Sequence, residues 1–127
     1  MADIAVRSAT PIFFVSDVRR AAAWFRDALG FEIDFLHADP PFYGAVSRGD
    51  ACIHLRLVHQ AWFAERAVEE ESLILATVEV SDVAALHAEF QVRGVEFVQP
   101  LTRQYWGGTD FQVRDPDGNT FSFVTYG

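Results

Sequence analysis

Cysteine is almost absent. Cys52 stands alone, so no internal disulfide can staple the chain, which suits a reducing compartment. Long apolar runs are missing as well. None approaches the roughly 20 residues that cross a bilayer as a helix, and the first residues carry no basic-then-apolar signal. The expectation is a cytoplasmic protein with no membrane partner. Basic residues are the scarce charge: 10 Lys and Arg against 18 Asp and Glu leave a net charge of -8. Phosphate binding needs a basic surface, so nucleic acid is excluded as a partner. The acid excess serves solubility and, where concentrated near a pocket, favours a cationic ligand. Catalytic signatures are sparse too. No Ser-His-Asp or Cys-His order stands out, and Gly107-Gly108 lacks the Lys and the strand–helix context of a phosphate loop.

What is present is a repeat. Val15-Ser16-Asp17-Val18 returns as Val80-Ser81-Asp82-Val83, about half a chain later. Each copy follows an apolar run (Ile12-Phe13-Phe14, Leu73-Ile74-Leu75) and opens an amphipathic stretch that stops at Gly30 or Gly94. Asp17 and Asp82 are N-cap residues, whose carboxylates accept from the free N–H groups of a first helical turn. Val18, Ala21, Ala22, Phe25 and Leu29 recur at helical spacing, as do Val83, Leu86, Phe90 and Val92 on the second stretch.

The remainder of each half reads as strands. After Gly30 these are about 31–37, 42–47 and 51–58, broken by Ala38-Asp39-Pro40-Pro41 and by the turn Gly49-Asp50. After Gly94 they are 95–98, 109–114 and 120–125, with a loop over 100–108 and the turn Asp115-Pro116-Asp117-Gly118-Asn119. Strands at 10–15 and 73–80 open the two halves. The 127 residues, 50% of them apolar and 22% charged, therefore make one α+β domain of two βαβββ modules. Module one covers about 9–58 and module two about 73–126. The linker, about 59–72, carries the solvated acids Glu69-Glu70-Glu71 and a short helical segment with Trp62 and Phe63.

Strand alternation separates an apolar face from a mixed face. Ile53, Leu55 and Leu57 oppose Cys52, His54 and Arg56. Phe121 and Phe123 oppose Thr120 and Ser122, while Ala76, Val78 and Val80 oppose Leu75, Thr77 and Glu79. Helices cover the apolar faces from outside. Curved mixed sheets from two equal modules then enclose a cleft, walled by Phe42, Tyr43, Tyr105 and Trp106. Apolar walls with a few polar anchors define a small-molecule site. Arg56 needs an acidic partner such as Glu79 if it is buried. His37, His59 and His87 are expected at the surface.

The two modules, the repeated strand–Asp–helix unit, Trp106-Gly107-Gly108-Thr109 and Asp115-Pro116-Asp117-Gly118-Asn119 resemble the vicinal oxygen chelate superfamily of glyoxalases, extradiol dioxygenases and bleomycin resistance proteins. The Trp-Gly-Gly-Thr segment is most similar to the bleomycin resistance proteins. In metal-dependent members the resemblance implies ligands from the first and last strand of each module. Here those positions hold Thr10, His54, Leu75 and Ser122. Hydroxyls are poor ligands for a transition metal, Leu is none, and one imidazole cannot hold an open catalytic site.

The resemblance therefore implies a non-catalytic, drug-sequestering protein of the antibiotic-resistance kind. It needs no metal or other cofactor, acts as a homodimer and binds an aromatic or cationic small molecule. The candidate ligand-binding residues are Trp106, His54, Arg56, Tyr105, Phe42, Tyr43, Glu79 and Ser122. Two alternatives remain: a metal-dependent glyoxalase- or dioxygenase-type enzyme with atypical ligands, and a metal-free enzyme using His54 as general base.

Overall fold

The computed structural model describes residues 2–60, 62–70 and 73–127. Module one runs β1 (Ile12–Val15), α1 (Val18–Leu29), β2 (Glu32–His37), β3 (Tyr43–Arg48) and β4 (Ala51–Leu57). The linker carries α2 (Trp62–Glu69). Module two runs β5 (Thr77–Glu79), α3 (Val83–Val92), β6 (Phe97–Arg103), β7 (Thr109–Arg114) and β8 (Thr120–Thr125). Each module builds one four-stranded mixed sheet of the same order, β1-β4-β3-β2 and β5-β8-β7-β6, in which only the first pair is parallel.

Both helices start as the repeat dictates. Asp17 is extended and accepts from the Arg20 N–H at 3.0 Å, and Asp82 accepts from the Ala85 N–H at 3.0 Å. Gly30 ends α1 in the left-handed region at φ 71°, which an L side chain adopts only with strain. The buried stripe of α1 is Val18, Ala21, Ala22, Phe25 and Leu29, the set its spacing predicts.

On α3 the prediction needs two corrections. Val92 is 90% exposed. It lies two positions past Phe90, about 200° round the helix, so the two cannot share a face. His87 is half-buried rather than fully exposed. One turn after Val83, it stacks on Phe97 at 4.3 Å and meets Phe111 edge-on. His37 and His59 are exposed as expected.

Two strand boundaries also move. β6 continues through Pro100 to Arg103, where a loop was expected. It is the edge strand of its sheet, so the missing proline N–H costs no ladder bond, and the pairing shifts register around it. The regular part of β5 is only Thr77–Glu79, although Leu75 and Val80 still donate to Thr120 and Val124 of β8.

The phenylalanines make the two modules one body. Phe25 touches Phe13 and Phe31, and Phe13 meets Phe121 of the other module edge-on at 5.2 Å. Phe121 continues to Phe123, and Phe123 stacks on Phe111 at 5.3 Å. All are buried within one hydrophobic core. Fully burying such a ring contributes roughly 2–3 kcal/mol, and a well-set pair adds roughly 0.5–1.5 kcal/mol beyond the area.

The turns before the two last strands reach across the module boundary. Asp117 Oδ1 accepts from the Ser16 N–H at 3.0 Å, and Asn119 Nδ2 donates to the Phe14 carbonyl at 2.8 Å. The counterpart turn in module one sends Arg48 onto both carboxylate oxygens of Glu89 on α3, at 2.7 and 2.9 Å, and onto the Leu29 carbonyl. With residues 49–50 against 115–119 it is the shorter turn. No hydrogen bond from it reaches Ser81, the counterpart of Ser16, among the described residues. A cavity of about 900 Å³ opens there, between Asp50, Cys52, Ser81 and Phe123. Desolvation raises the pKa of the Cys52 thiol above its ordinary value.

Candidate functional site

Because the apolar faces share the core, the mixed faces of both sheets are left to receive a ligand. They differ in chemistry. Strand pairing sets Ile12 beside His54, His54 beside Ala45, and Ala45 beside Phe35 on sheet one. Tyr43, diagonal to His54, places its hydroxyl 2.8 Å from His54 Nδ1. Phe35 meets the imidazole edge-on at 6.0 Å. The hydroxyl thereby fixes the ring orientation. Nε2 takes no hydrogen bond among the described residues, and no buried side-chain nitrogen or oxygen there lacks a partner. Nε2 therefore keeps its solvent access. Around it the face is aromatic and aliphatic and open, with Ile12 47%, Phe14 43% and Phe35 45% exposed.

The mixed face of sheet two is built from amides, hydroxyls and one acid. Ser122 Oγ donates to Thr77 Oγ1 at 2.9 Å. Gln112 lies opposite Ser122 and donates to Gln99 Oε1 at 3.3 Å. Gln99 and Gln104 each donate an amide N–H to the same oxygen of Asp110, at 2.7 and 2.9 Å. Asp110, Gln112 and Ser122 are all buried. A smaller cavity, about 320 Å³, opens beside Gln99, Gln112, Arg114 and Thr120, under the end of α2 at Ala67 and Glu70. The larger cavity lies at the module junction; Cys52 and Thr77 line it, but His54, Tyr43, Asp110 and the glutamines do not. Size alone does not identify the site; the convergent polar groups of the mixed faces are the better guide.

Trp106 projects from the turn before β7. Its ring lies across Gly108: a Cβ at Gly108 would come within 2.0 Å of the indole. Tyr126 flanks the indole at 5.9 Å, while Trp106 remains 47% and Tyr105 98% exposed. Gln104, which bonds Asp110, also closes this turn through its backbone to Gly107 and Gly108.

The predicted residues thus fall into separate groups. His54 and Tyr43 are joined on sheet one. Phe42 stands at its margin, 51% exposed and edge-on to His37 at 5.0 Å. Ser122 belongs to the polar face of sheet two, and Trp106 and Tyr105 to the adjoining turn. Arg56 and Glu79 are not brought together. Arg56 is exposed and donates to the neighbouring Leu57 carbonyl at 3.3 Å, so it needs no acidic partner, and Glu79 borders the larger cavity. The side chain of Trp62 lies outside the described residues. Asp110 and its glutamines join the candidate site only in the structure; their sequence signal is the alternation of Asp110 with Gln112 opposite Ser122.

The four positions at which metal-dependent relatives place ligands do not suit an ion. Thr10 is exposed ahead of β1, Leu75 is aliphatic, and Ser122 is committed to Thr77, which leaves His54. Among the described residues no three His, Cys, Asp or Glu side chains converge to hold one.

Residues 7–123 match the model of the glyoxalase/bleomycin resistance protein/dioxygenase superfamily, and the chain belongs to that superfamily. Among solved structures it is similar to the bleomycin-binding protein of bleomycin-producing Streptomyces verticillus, determined with copper(II)-bleomycin. The two share 29% identity over 98% of this chain and 99% of that one, with a TM-score of 0.78. The bleomycin resistance determinant encoded on transposon Tn5 shares 21% identity over 95% and 98%, TM-score 0.75. A glyoxalase-related enzyme from Clostridium phytofermentans shares 21% over 97% of each chain, TM-score 0.73. The last two likenesses concern the fold. No curated protein matches in sequence. No helix among the described residues is long and apolar enough to cross a membrane.

Proposed function

We propose that this protein binds a small molecule with an aromatic and a cationic part and holds it without transforming it, in the manner of a bleomycin-binding protein. The observation that carries the reading is the pairing of an indole shelf, Trp106 over Gly108, with a donor set unsuited to a metal. An exposed indole stacks on flat or cationic groups. The likeness to a bleomycin-binding protein along nearly the whole chain supports it. Sequestration of an antibiotic in the cytoplasm is the physiological role that follows.

The cleft is completed by a second copy. Ile12, Phe14 and Phe35 form an open apolar face in one chain, the kind of surface that soluble proteins cover. In the dimer this aromatic face, with His54 and Tyr43, meets the amide face and Trp106 of the partner. The test is titration with bleomycin and unrelated cationic aromatic compounds, followed by tryptophan fluorescence, for the wild type and Trp106→Ala. Saturable binding that weakens at least about tenfold in the variant supports the reading. Binding no tighter than millimolar for every compound, with no effect of the substitution, ends it.

A second reading rests on the Tyr43–His54 bond. An oriented imidazole with a free Nε2 is the arrangement of a general base. It requires that the protein turn a substrate over and that His54→Ala abolish the turnover while leaving the fold intact. Quantitative recovery of unchanged ligand from every complex tested would count against it.

A further inference from the structure

Asp110 is 7% exposed, and the groups that hold it are neutral. Gln99 Nε2 and Gln104 Nε2 both donate to Oδ1, at 2.7 and 2.9 Å. Gln112 and Gln104 donate in turn to Gln99 Oε1, at 3.3 and 3.5 Å, so three carboxamides form a cage that fixes the acid without neutralising it. No Arg or His forms an ion pair with Asp110 among the described residues. Arg114, two positions along from Gln112 on the same strand face, gives its Nε–H to Thr120 Oγ1 instead.

The second oxygen, Oδ2, takes no hydrogen bond among the described residues. Because no buried side-chain oxygen there is without a partner, Oδ2 is the atom that keeps its opening to solvent. It belongs to the mixed face of β7, the side of Gln112 and Ser122. The same Gln104 that bonds Oδ1 closes the backbone turn carrying Tyr105 and Trp106. A carboxylate withdrawn from water and held by neutral donors lacks a counter-charge. Preorganised, with one oxygen free, it is a receptor for a cation that arrives from outside.

We propose that Asp110 is the specificity-determining residue of the cleft: its free oxygen receives the ligand's ammonium, amidinium or guanidinium group while Trp106 takes the adjoining ring. The inference rests on the binding reading above and adds the origin of its charge preference. Asp115, the other buried acid, cannot do this, because both of its oxygens are bonded within its own turn.

The test uses two ring-matched probes, 2-(2-naphthyl)ethylamine and its uncharged N-acetyl derivative, titrated into the full-length protein at low ionic strength. Binding is followed in 1H–15N spectra that include the glutamine side-chain amides. The wild type should prefer the charged probe by at least about tenfold. Only that probe should shift the side-chain amides of Gln99, Gln104 and Gln112. Asp110→Asn keeps the shape and one acceptor; it should erase the preference, so that the two probes bind the variant with equal affinity. If Asp110→Asn does not fold, the wild-type preference and the location of the amide shifts decide alone. Equal affinity for the two probes, or a preference with no response from those amides, overturns the inference and leaves the binding reading standing. Failure of both probes to bind also overturns the inference, and the bleomycin titration then decides the binding reading.

Discussion

The side-chain amide of Asn119 donates to the carbonyl of Phe14 across 2.8 Å, tying the last turn of module two to the first strand of module one. Asn119 is 1% exposed, and the same nitrogen bonds Asp115 Oδ2 at 2.8 Å. The Asp-Pro-Asp-Gly-Asn turn is therefore a fastener between modules as well as a hairpin connection. Asn119→Ala strips partners from a carbonyl and a buried carboxylate. The expected cost is about 2–3 kcal/mol, read as a lowered urea midpoint with an unchanged slope.

Asp115 makes that turn sensitive to pH. Burial pushes its carboxyl up to about 6 from the ordinary 3.8, against N–H donors from Asp117 and Asn119 that favour the charged form. A folded acid with a raised pKa holds its proton more tightly than the unfolded chain does. Its stabilising contribution is complete below about pH 4 and is lost as pH rises to about 6. The loss amounts to about 3 kcal/mol at most. The Asp115 carboxyl carbon should titrate near 6 in a 13C NMR series, and stability should fall between pH 4.5 and 6.5. An ordinary carboxylate midpoint would refute this.

Glu89 has the opposite sign. The Arg48 guanidinium, followed by Arg93, holds its carboxyl below the usual range, so its contribution is present at neutral pH and lost in acid. The side chains of Arg48 and Glu89 are 38% and 35% exposed, so solvent screens the pair. Glu89→Gln should cost no more than about 1 kcal/mol at low salt. Raising the salt to about 1 M should remove the difference between the two proteins, compared by thermal denaturation.

Gly108 sets the position of Trp106. A methyl group at Gly108 would overlap the indole, and the nearest ring atom lies 2.0 Å from its position. Gly108→Ala should therefore displace Trp106, shift its fluorescence maximum and weaken aromatic ligands at least about tenfold. The chain should still fold, because the indole is half exposed and free to swing outward. Unchanged affinity with unchanged fluorescence would show that the shelf is dispensable.

The local parts of the fold were legible in sequence because their causes are local. Asp17 and Asp82 announce two caps, and the α1 stripe from Val18 to Leu29 follows from helical period alone. What escaped depends on position in the sheet or on pairs far apart in sequence. Pro100 reads as a strand breaker until β6 is known to be an edge. His87 reads as a surface residue until Phe97 is known to lie beneath it. The contact of Phe13 with Phe121 joins opposite ends of the chain. The candidate site was half legible for the same reason: alternation put His54 and Ser122 on mixed faces, and the Trp-Gly-Gly turn drew attention to Trp106. The amide cage draws on β6, the following turn and β7 at once. Only the folded register brings Gln99, Gln104 and Gln112 to Asp110.

Binding without chemistry is open to direct test by isothermal titration calorimetry of bleomycin into the purified protein. Saturable binding at micromolar or tighter affinity is expected, with one ligand per chain, two clefts serving a dimer, and a heat that ends with the last injection. Either of two results would contradict it: no saturable heat up to millimolar ligand, or a continuing heat flow after each injection that signals turnover.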